Sequence, residues 1–232
     1  MKTLRSTFIV LSIVALALIV APVALADSLT PVQTTSVGLQ TTDLVGVVAT
    51  PPITLFDTSL GTLNSVIITF QGGENSSFVL KNVAVGSETF GYQEFLDFYL
   101  GNSNGTINSL LGSLTPSVVN VNNPSITLAS GASISYGPIT TPTNIDSVTL
   151  TSNLALFEGV GNLPNFLVTT DTFTAYNGGG GNLTTTDSSL ASGTITVQYD
   201  YSQSGIPEPG TLSLFGTGLL GLAGMLRRKF AK

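Results

Sequence analysis

The chain has 232 residues, of which 9% are charged, and it contains no cysteine, no histidine and no tryptophan. Without cysteine it can form no disulfide and offers no thiolate nucleophile, and without histidine it lacks the usual general base and metal ligand. The composition therefore excludes a disulfide scaffold, a Ser-His-Asp hydrolase and a Cys/His zinc site. The acidic residues are scattered and form no D-x-D-x-D-G calcium loop, so we expect no metal and no cofactor, with a calcium site built from distant loops as the alternative.

Residues 1–26 have the organisation of a secretory signal peptide. Two basic residues precede an apolar stretch at 8–20, and Ala24 and Ala26 form an A-x-A cleavage site. We therefore expect export, removal of this segment by signal peptidase, and a mature chain that begins with the next residue. An uncleaved N-terminal anchor is the alternative, which the short apolar stretch and the well-placed cleavage site disfavour.

The stretch from residue 27 to 206 is strongly acidic. It contains twelve acidic side chains and one basic side chain, Lys81, which gives a side-chain charge balance of −11. Negative charge of this size disfavours nucleic acid and anionic lipid surfaces as partners. It also keeps an exported protein with few other charges soluble, and we favour that role over cation binding.

The same stretch is predicted to be all-β. The clearest strand is 194–201, where Ile195, Val197 and Tyr199 alternate with polar residues, so one face should pack on a core and the other should face water. Further strands are expected at 63–70, 76–85, 125–136, 146–156 and 166–176, short helices within 92–100 and 106–114, and a flexible loop at 177–182. Short strands with frequent turn residues predict an antiparallel β-sandwich or jelly-roll-like ectodomain at 27–205.

Two segments of this domain carry a family resemblance. Residues 56–66 read FDTSLGTLNSV and residues 193–201 read GTITVQYDY. They resemble the opening motif and the last strand of the choice-of-anchor E domain. The resemblance implies an all-β domain found beside interchangeable surface-sorting signals, with no assigned activity and no catalytic residue to carry over. Locally, Asp57, Ser59 and Gly61 predict a turn before a strand.

The residues that remain for catalysis are carboxylates. Glu94 and Asp97 are the closest acidic pair with aromatic neighbours, and a glycoside hydrolase needs two carboxyl groups that face one cleft. Their spacing puts them on one face of a helix but on opposite faces of a strand. We expect no enzyme activity and keep a carboxylate-dependent hydrolase as the least favoured reading.

Binding to exopolysaccharide is the main alternative to a purely structural role. Sugar recognition uses exposed aromatic faces, and tryptophan is absent. The tyrosines left for such a surface are Tyr92, Tyr99, Tyr136 and Tyr176, because Tyr199 and Tyr201 are predicted to be buried. A row of solvent-facing tyrosines on one sheet would favour a glycan-binding module.

A second apolar segment lies near the C-terminus. Residues 212–226 are apolar and are followed by Arg227, Arg228 and Lys229. We predict a short transmembrane helix at about 211–226, with the basic residues as a cytoplasmic stop and the ectodomain outside. A buried core helix is the alternative that such a short apolar segment allows.

Directly before this segment stand Pro207, Glu208 and Pro209. A Pro-Glu-Pro signature, a short apolar span and a basic cluster, in that order, resemble the PEP-CTERM sorting signal of bacteria, here at 206–232. The resemblance implies processing by an exosortase, a membrane-embedded cysteine transpeptidase, in a bacterium that makes exopolysaccharide. The two prolines also favour an extended backbone that a processing enzyme can reach.

These features together predict an exported bacterial protein. We expect it to be held briefly at the inner membrane with its ectodomain outside, and then to reside at the cell surface or in the extracellular matrix. A non-enzymatic structural or adhesive ectodomain is the favoured reading.

Overall fold

The computed structural model describes residues 27–112, 114–143 and 145–203, together with seven helical residues near the C-terminus. Those seven are Gly216, Gly218, Leu219, Gly221, Leu222, Leu226 and Arg227. The larger of the chain's two units spans residues 28–201. The predicted signal peptide at 1–26 lies outside the described residues.

Within the described ranges the chain forms ten strands, one α-helix and two short 3₁₀ helices. The strands are β1 (Asp27–Leu29), β2 (Gln33–Thr41), β3 (Val47–Val48), β4 (Gly61–Asn82), β5 (Glu88–Asn102), β6 (Ser117–Leu128), β7 (Ser133–Pro142), β8 (Asp146–Leu150), β9 (Phe166–Gly178) and β10 (Leu183–Gln203). The helix α1 is Gly105–Leu110, and the 3₁₀ helices are Leu154–Leu156 and Gly179–Gly181. The prediction of an all-β domain is therefore confirmed.

The strands form two antiparallel sheets. In the part of the chain that the structure describes, a six-stranded sheet has the order β1-β10-β4-β7, with β2 on β10 and β8 on β4. A four-stranded sheet has the order β3-β9-β5-β6. Buried side chains of both sheets pack together in the larger of two hydrophobic cores, where the rings of Phe70 on β4 and Phe98 on β5 meet edge to face with their centroids 6.2 Å apart. The sheets thus pack face to face, and the jelly-roll connectivity stays a prediction.

Alternation along the strands explains which residues reach the core. Ile195, Val197 and Tyr199 on β10 are buried as expected, and so are Val66 and Ile68 on β4. Burial of side chains on one face of each sheet removes them from water, which is the main force that holds the two layers together.

The predicted strands 63–70 and 76–85 form one strand of 22 residues, β4. Gly72 and Gly73, which are residue types common in turns, lie between the two predicted strands. The structure shows another use for Gly72, since a Cβ there would lie 2.7 Å from ring carbons of Phe98 on the facing sheet. The glycine permits a close approach between the sheets, and the strand continues past it.

Two other predictions about elements were wrong. The expected strand 125–136 is a hairpin of β6 and β7, with a tight turn at Gly131, whose φ of +73° favours glycine. The segment 92–100, considered for a short helix, lies wholly within strand β5. The helix expected at 106–114 is found in its first part, as α1.

Two other segments differ from their predictions in extent or in type of structure. The strand predicted at 146–156 ends at Leu150 and is followed by a 3₁₀ helix. The glycine-rich segment 177–182, expected as a flexible loop, contains the end of β9 and the 3₁₀ helix Gly179–Gly181. Gly178 and Gly179 both have positive φ, so the run of glycines forms a defined connection to β10.

The predicted membrane span at 211–226 lies mostly outside the described residues. Among the residues that the structure describes, no helix is long and apolar enough to cross a membrane. The span therefore stays a prediction.

Candidate functional site

The acidic pair singled out from the sequence does not come together. Glu94 and Asp97 both lie on β5, three positions apart, so their side chains leave the strand on opposite faces. Glu94 points into the core and is 0% exposed, while Asp97 lies on the solvent face of the four-stranded sheet. The two carboxyl groups cannot face one cleft, as a hydrolase would need.

Glu94 instead belongs to a carboxyl cluster, which we define as the buried Glu74 and Glu94 and the exposed Asp187, with the hydroxyls of Ser76 and Ser189. The Ser76 hydroxyl donates to Glu94 Oε2 at 3.2 Å, and the Ser189 hydroxyl lies 3.2 Å from Glu94 Oε1. The same Ser189 oxygen lies 2.8 Å from Asp187 Oδ1. Strands β4, β5 and β10 thus bring the five side chains together from both sheets.

This cluster divides the interior of the sandwich. The larger hydrophobic core includes Phe70 on β4 and Leu96 on β5, and a smaller core includes Phe78 and Tyr92 further along the same two strands. The inward positions between these residues hold the carboxyl cluster. A polar layer between two apolar ones costs stability unless its groups are neutral or hydrogen-bonded.

Within the cluster, the carboxyl group of Glu74 has the fewest hydrogen-bond partners. It is 1% exposed, and neither of its carboxyl oxygens has a hydrogen-bond partner among the described residues. Burial, together with the negative charges of Glu94 and Asp187, raises the pKa of Glu74 to about 8. At neutral pH this side chain therefore carries a proton for most of the time.

The hydrogen-bond geometry around Ser189 also points to a proton on Glu94. A serine hydroxyl has one hydrogen, yet Ser189 lies within hydrogen-bond distance of two carboxylates. If Glu94 is protonated, it donates to Ser189, which in turn donates to Asp187, and every contact is satisfied. Burial and the nearby Asp187 carboxylate raise the pKa of Glu94, in agreement with this assignment.

The two glutamates of the cluster are enclosed between the sheets, whereas Asp187 is exposed at its border. Glu74 and Glu94 have almost no exposed surface, so a polymeric substrate has no path to them in this conformation. In the ranges given above, no three acidic side chains are arranged to hold a metal ion.

The second candidate site is the outer face of the four-stranded sheet, which we call the acidic aromatic face. Phe95 on β5 pairs with Phe173 on β9 and with Val119 on β6, so the three form a row across the sheet. Phe173 is 50% and Val119 48% exposed. Exposed apolar side chains in contact with one another mark surfaces that bind something more often than isolated ones do.

Acidic and aromatic side chains continue this face along β5. Asp97 pairs directly with Asp171 on β9, next to the row that contains Phe173. Tyr99 follows two positions later and is 38% exposed. Partial desolvation raises the pKa of Tyr99, and the charges of Asp97 and Asp171 add to the rise, which indicates that the three side chains lie close together.

Amide side chains border the face at its other end. The Gln93 amide donates to Asn122 Oδ1 at 2.8 Å, across β5 and β6. Both residues line a groove of about 180 Å³, which Tyr176 and Asn177 also line. Flat aromatic surface beside amide and carboxylate groups offers both stacking and hydrogen bonds to a polar ligand.

The four tyrosines expected at a surface have different positions. Tyr92 is fully buried, and its hydroxyl has no partner among the described residues, so its assignment as a spare surface tyrosine was wrong. Tyr136 is partly buried and stacks on Phe78 at 4.9 Å. Tyr99 and Tyr176 are exposed, although only Tyr99 lies on the outer face of the sheet.

Several residues of both sites were missed at the level of sequence. Glu74, Asp187, Phe173 and Asp171 carry no local motif, and strand pairing alone brings them to their partners. Phe95 offered a signal, since it breaks the alternation of β5 by placing an aromatic ring on the solvent side.

The residues predicted to direct sorting lie at the ends of the chain. Ala24, Ala26, Pro207, Glu208, Pro209, Arg228 and Lys229 lie outside the described residues. Arg227 is described, and it is helical and exposed.

Comparison with known proteins identifies the C-terminal segment. Residues 205–229 match the PEP-CTERM protein-sorting motif, and this range contains the Pro-Glu-Pro signature and the basic cluster. Such a motif implies exosortase-dependent sorting of an exported protein that is anchored transiently in the membrane. No curated protein matches the chain.

Solved structures give only weak similarities. A chain of mud crab dicistrovirus is 10% identical over 78% of this chain and 74% of its own, with a TM-score of 0.23. A chain of mud crab tombus-like virus is 9% identical over 84% and 88%, with a TM-score of 0.22. A chain of the T13 viral particle of IBDV is 14% identical over 78% of this chain, which spans 44% of that one, with a TM-score of 0.16. Similarities of this size support no inference about function.

Proposed function

We propose that the chain is an exported bacterial protein of the cell surface or extracellular matrix, and that its β ectodomain has a structural or adhesive, non-enzymatic role. The observation that carries the proposal is the PEP-CTERM motif at 205–229. In this account signal peptidase cleaves after Ala26, the segment 211–226 holds the chain in the inner membrane, and an exosortase cuts near Pro207–Pro209. The basic residues after the span keep the tail on the cytoplasmic side.

The architecture of the ectodomain supports a passive role. Two long strands, β4 and β10, run the length of the larger sheet. The buried carboxyl groups are enclosed, and the acidic pair Glu94 and Asp97 is split between two faces. The resemblance to choice-of-anchor E domains fits such a module and is part of the proposal.

The sorting step can be tested in the producing bacterium. Pro207, Glu208 and Pro209 are replaced together by alanine, and the variant is compared with the parent by intact mass and by cell fractionation. We expect the parent to lose both ends and the variant to keep its C-terminal segment and stay in the membrane fraction. A parent protein that retains Met1 and Lys232, or a variant with unchanged mass and location, would contradict the proposal.

Glycan binding by the acidic aromatic face is the second candidate function. The observation that favours it is the row formed by the partly buried Phe95 and the exposed Phe173 and Val119, beside Asp97 and Tyr99. Aromatic rings stack on the apolar faces of sugar rings, and carboxylates and amides accept or donate hydrogen bonds to the hydroxyls around them. An exosortase-processed protein in an exopolysaccharide matrix would meet such ligands.

The glycan-binding candidate predicts a loss of binding when the row is removed. Phe173→Ala should weaken co-sedimentation with the producing strain's own polysaccharide, because it removes exposed stacking surface without touching the core. Val85→Ala is the matched control, since Val85 is an exposed apolar residue away from the four-stranded sheet. Equal binding by all three proteins would count against this function and leave the sorting proposal intact.

A further inference from the structure

The acidic aromatic face contains a pair of like charges, and the described strands of its sheet carry no basic side chain. Asp97 and Asp171 are directly opposite each other on β5 and β9. Side chains in that relation have Cβ atoms about 5 Å apart, and two negative charges there repel each other. This repulsion destabilises the sheet when nothing is bound to it. A positively charged group bound between the two carboxylates would remove the repulsion, which would explain why the pair is present.

The protein itself supplies no such group on this sheet. Lys81 is the single basic residue between 27 and 206, and it lies on β4 in the other sheet. The surrounding stretch has a side-chain balance of −11, so the field over the ectodomain attracts cations and repels polyanions. A ligand that binds here must therefore bring its own positive charge.

The neighbouring side chains suit a cation attached to a ring-shaped, partly apolar body. Phe173 follows Asp171 by two positions on the same face of β9, and Tyr99 follows Asp97 in the same way on β5. An ammonium group close to aromatic faces gains from the ring quadrupole as well as from the carboxylates. A carbohydrate ring can lie on the same aromatic surface, and its hydroxyl groups can reach the amides of Gln93 and Asn122.

We propose that the acidic aromatic face binds polysaccharides that carry free amino groups, such as chains of deacetylated hexosamine, with the ammonium group held between Asp97 and Asp171. This inference rests on the glycan-binding function proposed above and names its ligand class. Each exposed ion pair and each stacked ring is weak alone, so affinity comes from repeated contacts along a polymer or from many protein copies on one chain.

The test uses the full protein purified from the producing cells and glucosamine oligosaccharides of defined length. Binding is measured by calorimetry and compared with N-acetylated oligosaccharides of equal length and with alginate. We expect the free amine to bind at least about tenfold more tightly than its acetylated counterpart, with a marked loss at high salt. Alginate, a polyanion, should not bind.

Two double variants distinguish binding at Asp97 and Asp171 from a general effect of the protein's net charge on affinity. Asp97→Asn with Asp171→Asn should lose about tenfold or more in affinity for the amine, while the fold is kept because repulsion is relieved. Asp146→Asn with Glu158→Gln changes the net charge equally, away from this face, and should bind like the parent. Near-ultraviolet circular dichroism checks that each variant is folded.

The other outcomes overturn the inference in different ways. Equal binding of free and acetylated oligosaccharides would disprove the amine-specific ligand and leave glycan binding standing. An equal loss in both double variants would show a non-specific charge effect, and alginate binding that requires Ca²⁺ would show a cation bridge in place of an amine site. No binding to any saccharide, the strain's own polysaccharide included, would remove the glycan-binding function as well.

Discussion

Glu74 shows how a single buried residue can make the stability of the folded protein depend on pH. An ionised carboxylate without a partner is unstable away from water, so the folded protein holds the proton on Glu74 up to a pH of about 8. In the unfolded chain the same group releases its proton near its ordinary pKa of 4.5. Between these two values the folded state binds more protons than the unfolded state, and its stability must fall as the pH rises.

The first prediction is an acid-stabilised protein. The unfolding midpoint should decrease between pH 4.5 and 8, with Glu74 contributing at most about 1.4 kcal/mol per pH unit. Glu74→Gln keeps the shape of the side chain without its titration, so it should flatten this slope and be more stable than the parent at pH 8. Asp171→Asn, at an exposed position, is the control and should leave the slope unchanged. A parent whose stability rises across this range would contradict the assignment.

Gly72 supports a second prediction at the scale of a residue. A Cβ at this position would lie 2.7 Å from the ring of Phe98, a distance that real contacts do not reach. Gly72→Ala should therefore destabilise the fold by about 1–3 kcal/mol, because the ring or the strand must shift in a packed core. Gly38→Ala on β2 has nothing within 4 Å of the new methyl group and serves as the control. Denaturant unfolding measures both, and equal midpoints would show that the sheets have room to separate.

At the scale of an element, α1 depends on Asn104, the residue that caps its N-terminus. The Asn104 side chain accepts hydrogen bonds from the backbone amides of Thr106 at 3.0 Å and Ile107 at 3.2 Å, which would otherwise lack partners. Ile107 then anchors the helix in the large core. A helix of six residues has little stability of its own, so this cap and this anchor are what hold it.

The third prediction follows from that cap. Asn104→Ala should cost about 1 kcal/mol of unfolding free energy, since two amides lose their acceptor, while Asn104→Asp should restore most of it. Ser109→Ala, an exposed position within the same helix, should change stability by less than about 0.5 kcal/mol. Chemical denaturation of the three variants gives the comparison. A loss in Ser109→Ala as large as in Asn104→Ala would indicate that the helix responds to any change and not to its cap.

Strand β5 explains how far the sequence could predict the fold and where it could not. Alternation identified parts of β4, β9 and β10 because their inward positions are apolar and their outward positions are mostly polar. On β5 this pattern is reversed at two places, with Glu94 inward and Phe95 outward. Local pattern cannot reveal such a strand, since both departures make sense only beside residues that other strands supply.

The two departures coincide with the two candidate sites. Glu94 belongs to the carboxyl cluster, and Phe95 begins the aromatic row of the outer face. Positions that break a local rule are expected where a protein uses a residue for something other than folding. The pair Glu94 and Asp97 was noticed from the sequence, but its separation onto two faces required the strand assignment.

At the scale of the whole molecule, the sorting motif and the residues that form the hydrophobic cores lie in separate segments of the chain. The PEP-CTERM motif occupies residues 205–229, whereas the hydrophobic cores draw their members from Val37 to Tyr201. A core that lies wholly within one segment gives that segment its own folding free energy. The terminal segments should therefore decide where the protein goes and should have little influence on how the ectodomain folds.

The last prediction tests this separation by deleting residues 205–232. The shortened chain keeps the predicted signal peptide, so it should be exported and appear in the culture medium instead of the membrane or surface fraction. Its unfolding midpoint should equal that of the parent's ectodomain after sorting, because all members of both cores remain. A released protein that unfolds at a clearly lower temperature would show that the C-terminal segment stabilises the ectodomain. Retention of the shortened chain in the membrane would instead show that another segment anchors it.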